Sequence, residues 1–278
     1  MNAAIRIRHP LPRFPRALAR ICRRFAATLA VTAFASTAVL GHAETLRVGA
    51  TAGGIPFTFL DLKTNTIQGM MIDVVTEAGK RAGFDAQIQP MAFSSLVSSL
   101  TANKVDLLSA ALFITAAHEQ VMAFSDPIYS YGEALIVAKN DGKAYTSLAG
   151  LKDMVVGAQI GTIYLDALKK ANVAKEIKSY DATADLMRDL NTGRIQAAIA
   201  DGPVVSYYLK QGLYPETKIV QSYQPTMVGS LGIGMRKDET GVQQRINAAL
   251  KAMVADGTMQ KILAKWGLGA SAQQQAQR

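Results

Sequence analysis

The chain has 278 residues, is 49% hydrophobic and carries 30 basic against 21 acidic residues, for a formal net charge of +9. Seven of the basic residues are arginines within the first 43 positions, where no acid occurs, so the remainder holds 23 basic residues against 21 acids. That interspersed balance removes the basis for a nucleic-acid-binding reading, and the single cysteine, Cys22, excludes disulfides and thiolate chemistry from everything after it.

Arg6, Arg8, Arg13, Arg16, Arg20, Arg23 and Arg24 precede an apolar, small-residue run over 25–40 that exits through Gly41-His42-Ala43. This is the pattern of a signal peptide over 1–43, cleaved after Ala43, which directs the protein to the periplasm. The Arg23-Arg24 pair also fits a twin-arginine export signal, and Cys22 lies too early to be an acylated anchor. From Glu44 onward, short apolar strands alternate with amphipathic helices, the rhythm of an α/β fold on largely parallel sheets.

A strand is expected over 45–50, followed by a helix carrying Ile72, Val75, Ala78 and Ala82. Next come an element over 86–91, a helix with Phe93, Leu96, Val97 and Leu100 on one face, and buried strands over 105–112 and 133–138. The polar stretch 139–143 reads as a seam, because the alternation then restarts. Strands over 154–158, near Ile177 and over 197–200 alternate with helices from Tyr164, around Leu186-Met187-Leu190 and from Pro203. Leu231, Ile233 and Met235 alternate in a last strand before helices marked by Val242, Ile246, Ala249 and Met253, and by Met259, Ile262, Leu263 and Trp266. The Gln- and Ala-rich tail over 269–278 is expected to fray. Periodicity alone fits one continuous domain, or two lobes with crossings near 137–140 and 230–233.

Catalytic patterns are sparse. Beyond residue 43 the one histidine is His118, and there is no Gly-x-Ser-x-Gly elbow, phosphate-cradling loop or His/Cys cluster, so no catalytic residue, metal or cofactor is expected. Asp201 sits at the carboxyl end of an apolar strand and just before a helix, the place that faces the ligand crevice of an open α/β sheet; an Asp capping the helix is the competing reading. In 157–162, a glycine turn leads into a helix whose free N–H groups favour an anion, with the Thr162 hydroxyl as an added donor, or it is a plain strand-to-helix turn. Phe93 is either a stacking wall or core.

Seven ordered motifs carry a resemblance: Ile55-Pro56-Phe57-Thr58-Phe59, 69–73, Asn103-Lys104-Val105-Asp106-Leu107, Phe124-Ser125-Asp126-Pro127, 157–162, Ala200-Asp201-Gly202-Pro203-Val204 and Ala255-Asp256-Gly257-Thr258. Together they resemble the family-3 extracellular solute-binding proteins, the polar amino-acid branch of ABC import, across nearly all of 45–267. The resemblance implies a two-lobed periplasmic-binding-protein fold, each lobe a mostly parallel sheet flanked by helices, joined by a two-strand hinge. It implies a first lobe over 44–137 and 233–268, a second over 138–232, and a small-molecule solute between them. The implied partner is an ABC permease in the inner membrane, and the implied state is a monomer that binds no nucleic acid.

The resemblance also implies roles: Asp201 for the ligand ammonium, Thr162 for a ligand carboxylate and Phe93 as an aromatic wall. The chain departs from the family where His118 stands at the arginine position that grips the carboxylate, and Phe113 at a hydroxyl position. Imidazole cannot make the bidentate guanidinium contact. Leu112, Phe113, Met71 and Ile163 suggest a more apolar cleft, and Gly54 takes the place of a second aromatic wall. The expected ligand site is therefore Phe93, Leu112, Phe113, His118, Thr162 and Asp201, and the expected cargo a small amine-bearing, partly apolar or amino-acid-like solute. The alternatives are a periplasmic enzyme on the same fold, such as a cyclohexadienyl dehydratase-like lyase, and a ligand-sensing partner of a membrane receptor.

Overall fold

A computed structural model describes residues 44–269; the expected leader with its cleavage point and Cys22, and the tail beyond Gly269, lie outside the described residues. The chain opens with β1 (Glu44–Ala50), then β2 (Gly53–Gly54), β3 (Thr58–Asp61) and β4 (Thr66–Gln68), the last three forming a small antiparallel sheet. Helix α1 (Met70–Ala82) buries Met70, Met71, Val74, Val75 and Ala78, a stripe at helical spacing. It is preceded by Gly69 at φ 134°, where a Cβ would collide with the Phe57 carbonyl, and it ends at Gly83 in the left-handed region, whose N–H bonds the Gly79 carbonyl.

Then follow β5 (Phe84–Pro90), α2 (Leu96–Thr101), β6 (Leu107–Leu108), α3 (Ala116–Glu119), β7 (Ala123–Phe124), β8 (Tyr129–Tyr131) and β9 (Glu133–Ala138). The middle of the chain gives β10 (Val155–Gln159), α4 (Ile163–Ala171), β11 (Glu176–Tyr180), α5 (Thr183–Asn191), β12 (Ala197–Asp201), α6 (Gly202–Lys210) and β13 (Thr217–Ile219). It closes with β14 (Gly229–Leu231), β15 (Gly234–Met235), α7 (Thr240–Ala255) and α8 (Thr258–Lys265).

Two five-stranded sheets organise these elements, in the orders β5-β1-β6-β15-β7 and β11-β10-β12-β9-β13. In each, three neighbouring strands are parallel and the fourth runs antiparallel to them, β15 in the first lobe and β9 in the second. The lobes are joined by β8 and β14, which pair antiparallel and share a 2.7 Å hydrogen bond between the Ser130 and Ser230 hydroxyls.

The strand pairing corrects two sequence expectations. The first crossing lies at β8, ahead of 137–140, so β9 belongs to the second sheet and not to a first lobe ending at residue 137. β9 is flanked by β12 and β13, which is why its side chains from Glu133 to Val137 are all buried; a continuous apolar run there marks a sheet interior. The polar stretch after β9 stays with the second sheet, where the Asp141 carboxylate accepts bonds from the Lys143 N–H at 2.8 Å and the Tyr145 hydroxyl at 2.7 Å. The strand expected over 105–112 contributes only Leu107 and Leu108 to the ladder, although most of that stretch is buried.

Candidate ligand-binding site

The strand order reverses direction at β1 and at β10, each the middle of its parallel trio. In open α/β sheets the crevice opens outside the carboxyl ends of the strands at such a point. The cavity found there has a volume of about 500 Å3 and is walled by Thr51 just past β1 and Phe93 just past β5, and from the other lobe by Gln159, Asp181 and Asp201 at the ends of β10, β11 and β12. The lobes touch around it: the Tyr208 hydroxyl donates to the Gly53 carbonyl at 3.1 Å, and a Cβ on Gly161 would lie 3.3 Å from Ser94 Cα.

Asp201 is the N-cap residue of α6, but its side chain makes no capping hydrogen bond. It accepts instead from the Tyr164 hydroxyl at 2.7 Å. The helix-cap reading of this residue is thereby excluded. Burial pushes the Asp201 carboxyl up to about 6, against the opposing influence of the Tyr164 and Tyr131 hydroxyls. Both phenols are in turn held well above their ordinary value, first by burial and then by the Asp201 charge. The Tyr131 hydroxyl lies close enough to Asp201 and Tyr164 to act on them, yet it is buried with no hydrogen-bond partner of ordinary geometry among the described residues. Phe113 packs against both phenols, its ring 4.7 Å from that of Tyr131 and 6.3 Å from that of Tyr164. The outcome is a carboxyl at the cavity wall with one firm donor, short of the two or three that would satisfy a buried anion.

Residues 46–269 match the family described as bacterial extracellular solute-binding proteins, family 3. The chain belongs to that family. It is 31% identical to ABC transporter arginine-binding protein 1 of Escherichia coli K12, over 87% of this chain and 96% of that protein. It is 30% identical to the histidine-binding periplasmic protein of Salmonella typhimurium, over 84% of this chain and 91% of that protein. Among solved structures, an ancestral arginine-binding protein bound to arginine superposes with a TM-score of 0.74 at 32% identity, over 80% of this chain and 97% of that one. An ancestral amino acid-binding protein described as a precursor of cyclohexadienyl dehydratase gives 0.72 at 30% identity, over 80% and 95%.

Within this family-3 protein, Phe93 and Asp201 stand on the cavity wall, while Leu112, Phe113, His118 and Thr162 do not line it. Leu112 is buried in a small core cluster with Leu96, Leu108 and Phe124, and Phe113 belongs to the main core. Met71 is fully buried as well. Their side chains pack inside the lobes and do not line this cavity. His118 directs Nδ1 to the Phe113 carbonyl at 2.8 Å and takes its own N–H to Thr115 Oγ1 at 3.1 Å, so it fastens a local turn. Thr162 caps α4: its hydroxyl donates to the Gln159 carbonyl at 2.7 Å and accepts from the Leu165 N–H at 3.4 Å. That hydroxyl proton is committed to the Gln159 carbonyl here.

Sequence reasoning missed Thr51, Gln159, Asp181 and Thr183, all on the cavity wall. The signal that would have found Asp181 is the one that found Asp201, a polar residue at the carboxyl end of a strand, here β11. Gln159 is fixed by two bonds of 2.9 Å, its Nε2 donating to the Asp181 carbonyl and its Oε1 accepting from the Thr183 hydroxyl. Neither Lys, Arg nor His lines the cavity. Among the described residues no group of His, Cys, Asp and Glu is arranged to hold a metal ion.

Proposed function

We propose that this protein is the periplasmic solute receptor of an ABC importer and that it binds a small amine-bearing or amino-acid-like solute between its lobes. The observation that carries this reading is the incompletely satisfied Asp201 carboxyl on the wall of an interlobe cavity that holds no basic residue. A ligand ammonium supplies both the missing donors and the counter-charge, and a charge-assisted bond in a secluded cleft is about twice as strong as a neutral one. The family match, and the printed names of relatives that bind arginine and histidine, support a cationic amine as the class of cargo. Contacts made to both lobes favour the closed form, which is the form a permease reads. The leader over 1–43 fits export ahead of this role, and among the described residues no helix is long and apolar enough to cross a membrane.

A thermal-shift screen of amines, amino acids and simple carboxylates tests the reading, because a ligand that binds only the folded state raises its melting temperature. Amines and basic amino acids are expected to stabilise the protein. Stabilisation by amine-free carboxylates alone refutes the role given to Asp201. A second reading, a lyase on the same fold, is favoured by the likeness to the dehydratase precursor and by a carboxyl that burial lifts to about 6, suited to proton transfer near neutrality. Chemical conversion of any compound that stabilises the protein would establish it.

A further inference from the structure

The cavity wall contains a second carboxylate besides Asp201, and its surroundings differ. Asp181 follows β11 as Asp201 ends β12, with β10 between them, so two interstrand spacings, about 10 Å, separate the strands that carry them. The Asp181 main chain is held in place, its carbonyl accepting from Gln159 Nε2 at 2.9 Å. Its carboxylate takes no hydrogen bond and no ion pair among the described residues, and the residue is exposed on the cavity wall. The Tyr131 hydroxyl beside Asp201 is buried off the cavity wall, which leaves the Asp201 carboxyl, bonded by Tyr164, as the polar group that a ligand can reach at that end.

We infer that the cavity selects a carboxylate-free aliphatic diamine, one ammonium bound by Asp201 at the inner end and the other by Asp181 at the exposed end. The inference rests on the amine-receptor reading above and adds the second charge. The methylenes between the two ammonium groups lie along Phe93 and Pro90, which belong to the facing lobe, so a single extended ligand touches both halves. Nothing on the wall offers a positive side chain to a carboxylate. The start of α5 does open on the cavity through Ala182 and Thr183, and a helix N-terminus favours an anion. Asp181, the residue just before that N-cap, puts a negative charge beside this position and so opposes a ligand anion there.

Calorimetric titration at neutral pH with cadaverine, pentylamine and lysine tests the inference. These probes share one aliphatic chain and differ in a second ammonium or in an added carboxylate. Cadaverine is expected to bind roughly tenfold or more tightly than pentylamine, the size of one charge-assisted contact. Asp181→Asn, at an exposed position, is expected to remove that advantage, weakening cadaverine about tenfold and pentylamine by much less. Equal binding of cadaverine and pentylamine, an equal effect of Asp181→Asn on both, or tighter binding of lysine than of cadaverine each overturn the diamine inference while leaving the amine receptor standing. If none of the three binds, the amine reading of Asp201 falls and the inference with it.

Discussion

Asp201 and Glu133 face each other across the antiparallel pair of β12 and β9, and the chain treats these two carboxyl groups in opposite ways. Glu133 is only 2% exposed and fully engaged, accepting from the Tyr223 hydroxyl at 2.8 Å, the Thr226 N–H at 2.8 Å and the Met227 N–H at 2.9 Å. Those donors belong to the segment that leads into β14, so Glu133 anchors one arm of the hinge. Asp201, in register with it, has one hydrogen bond of ordinary geometry, from Tyr164, with the Tyr131 phenol close by. A satisfied buried acid holds structure together, whereas an unsatisfied one stores a demand that a ligand can meet.

Substitution separates the two roles. Glu133→Ala leaves the buried Tyr223 hydroxyl and two partly buried main-chain N–H groups without their acceptor and is expected to cost about 3 kcal/mol of folding stability, read from urea unfolding. If it weakens amine binding without lowering stability, the structural role is wrong. Asp201→Asn is expected to act in the other direction on the unliganded protein. Its carboxyl rises from 3.8 to about 6 on folding, a change on the order of 2–3 kcal/mol at about 1.4 kcal/mol per unit. Because the folded state holds the proton more tightly, the wild-type protein gains stability as pH falls from about 6 toward 4, and the penalty is fully present above 6.

Asp201→Asn should therefore raise the melting temperature at pH 7–8, flatten that pH dependence and weaken an amine ligand by more than about tenfold. In the wild type, amine affinity should fall progressively below about pH 6, as the proton takes the place of the ligand. Affinity that is flat across this window contradicts a charged Asp201 contact. The smallest effect is expected from Tyr131→Phe, which removes an orphaned hydroxyl and should change stability by no more than about 1 kcal/mol. A large loss would mean that this hydroxyl has a partner on which the fold depends.

Much of this was legible beforehand because ordered motifs and periodicity report on buried backbone. The parallel trios, the helix of Met70–Ala82 and the place of Asp201 at a strand end all followed from local pattern. The first crossing did not, because a central strand such as β9 and a crossing strand look alike as short apolar runs, and only pairing tells them apart. The site was legible in part. Asp201 was reached through its place at a strand end and Phe93 through the resemblance, whereas Leu112, Phe113 and His118 were assigned by position in a motif and Thr162 by its place at a helix start, and neither kind of position says where a side chain turns. His118 could make its bond to the Phe113 carbonyl only once the intervening turn had formed, and Thr162 had a nearer acceptor in Gln159. Asp181 lay in a stretch that matched no motif, although the strand-end rule applied to it equally.

The order of the strands along the chain also has a temporal meaning. All five strands of the second sheet come from one uninterrupted stretch, while the first sheet needs β15, which arrives after the entire second lobe, to join β6 to β7. Helix α7, which packs on α1, arrives later still. Contacts distant in sequence close slowly, because the intervening chain must first give up its freedom. The second lobe can complete its ladder while the first still exposes an open edge along β6. The first lobe, which holds both Glu44 and Trp266, is thus expected to finish last, so that the protein would mature from its middle outward.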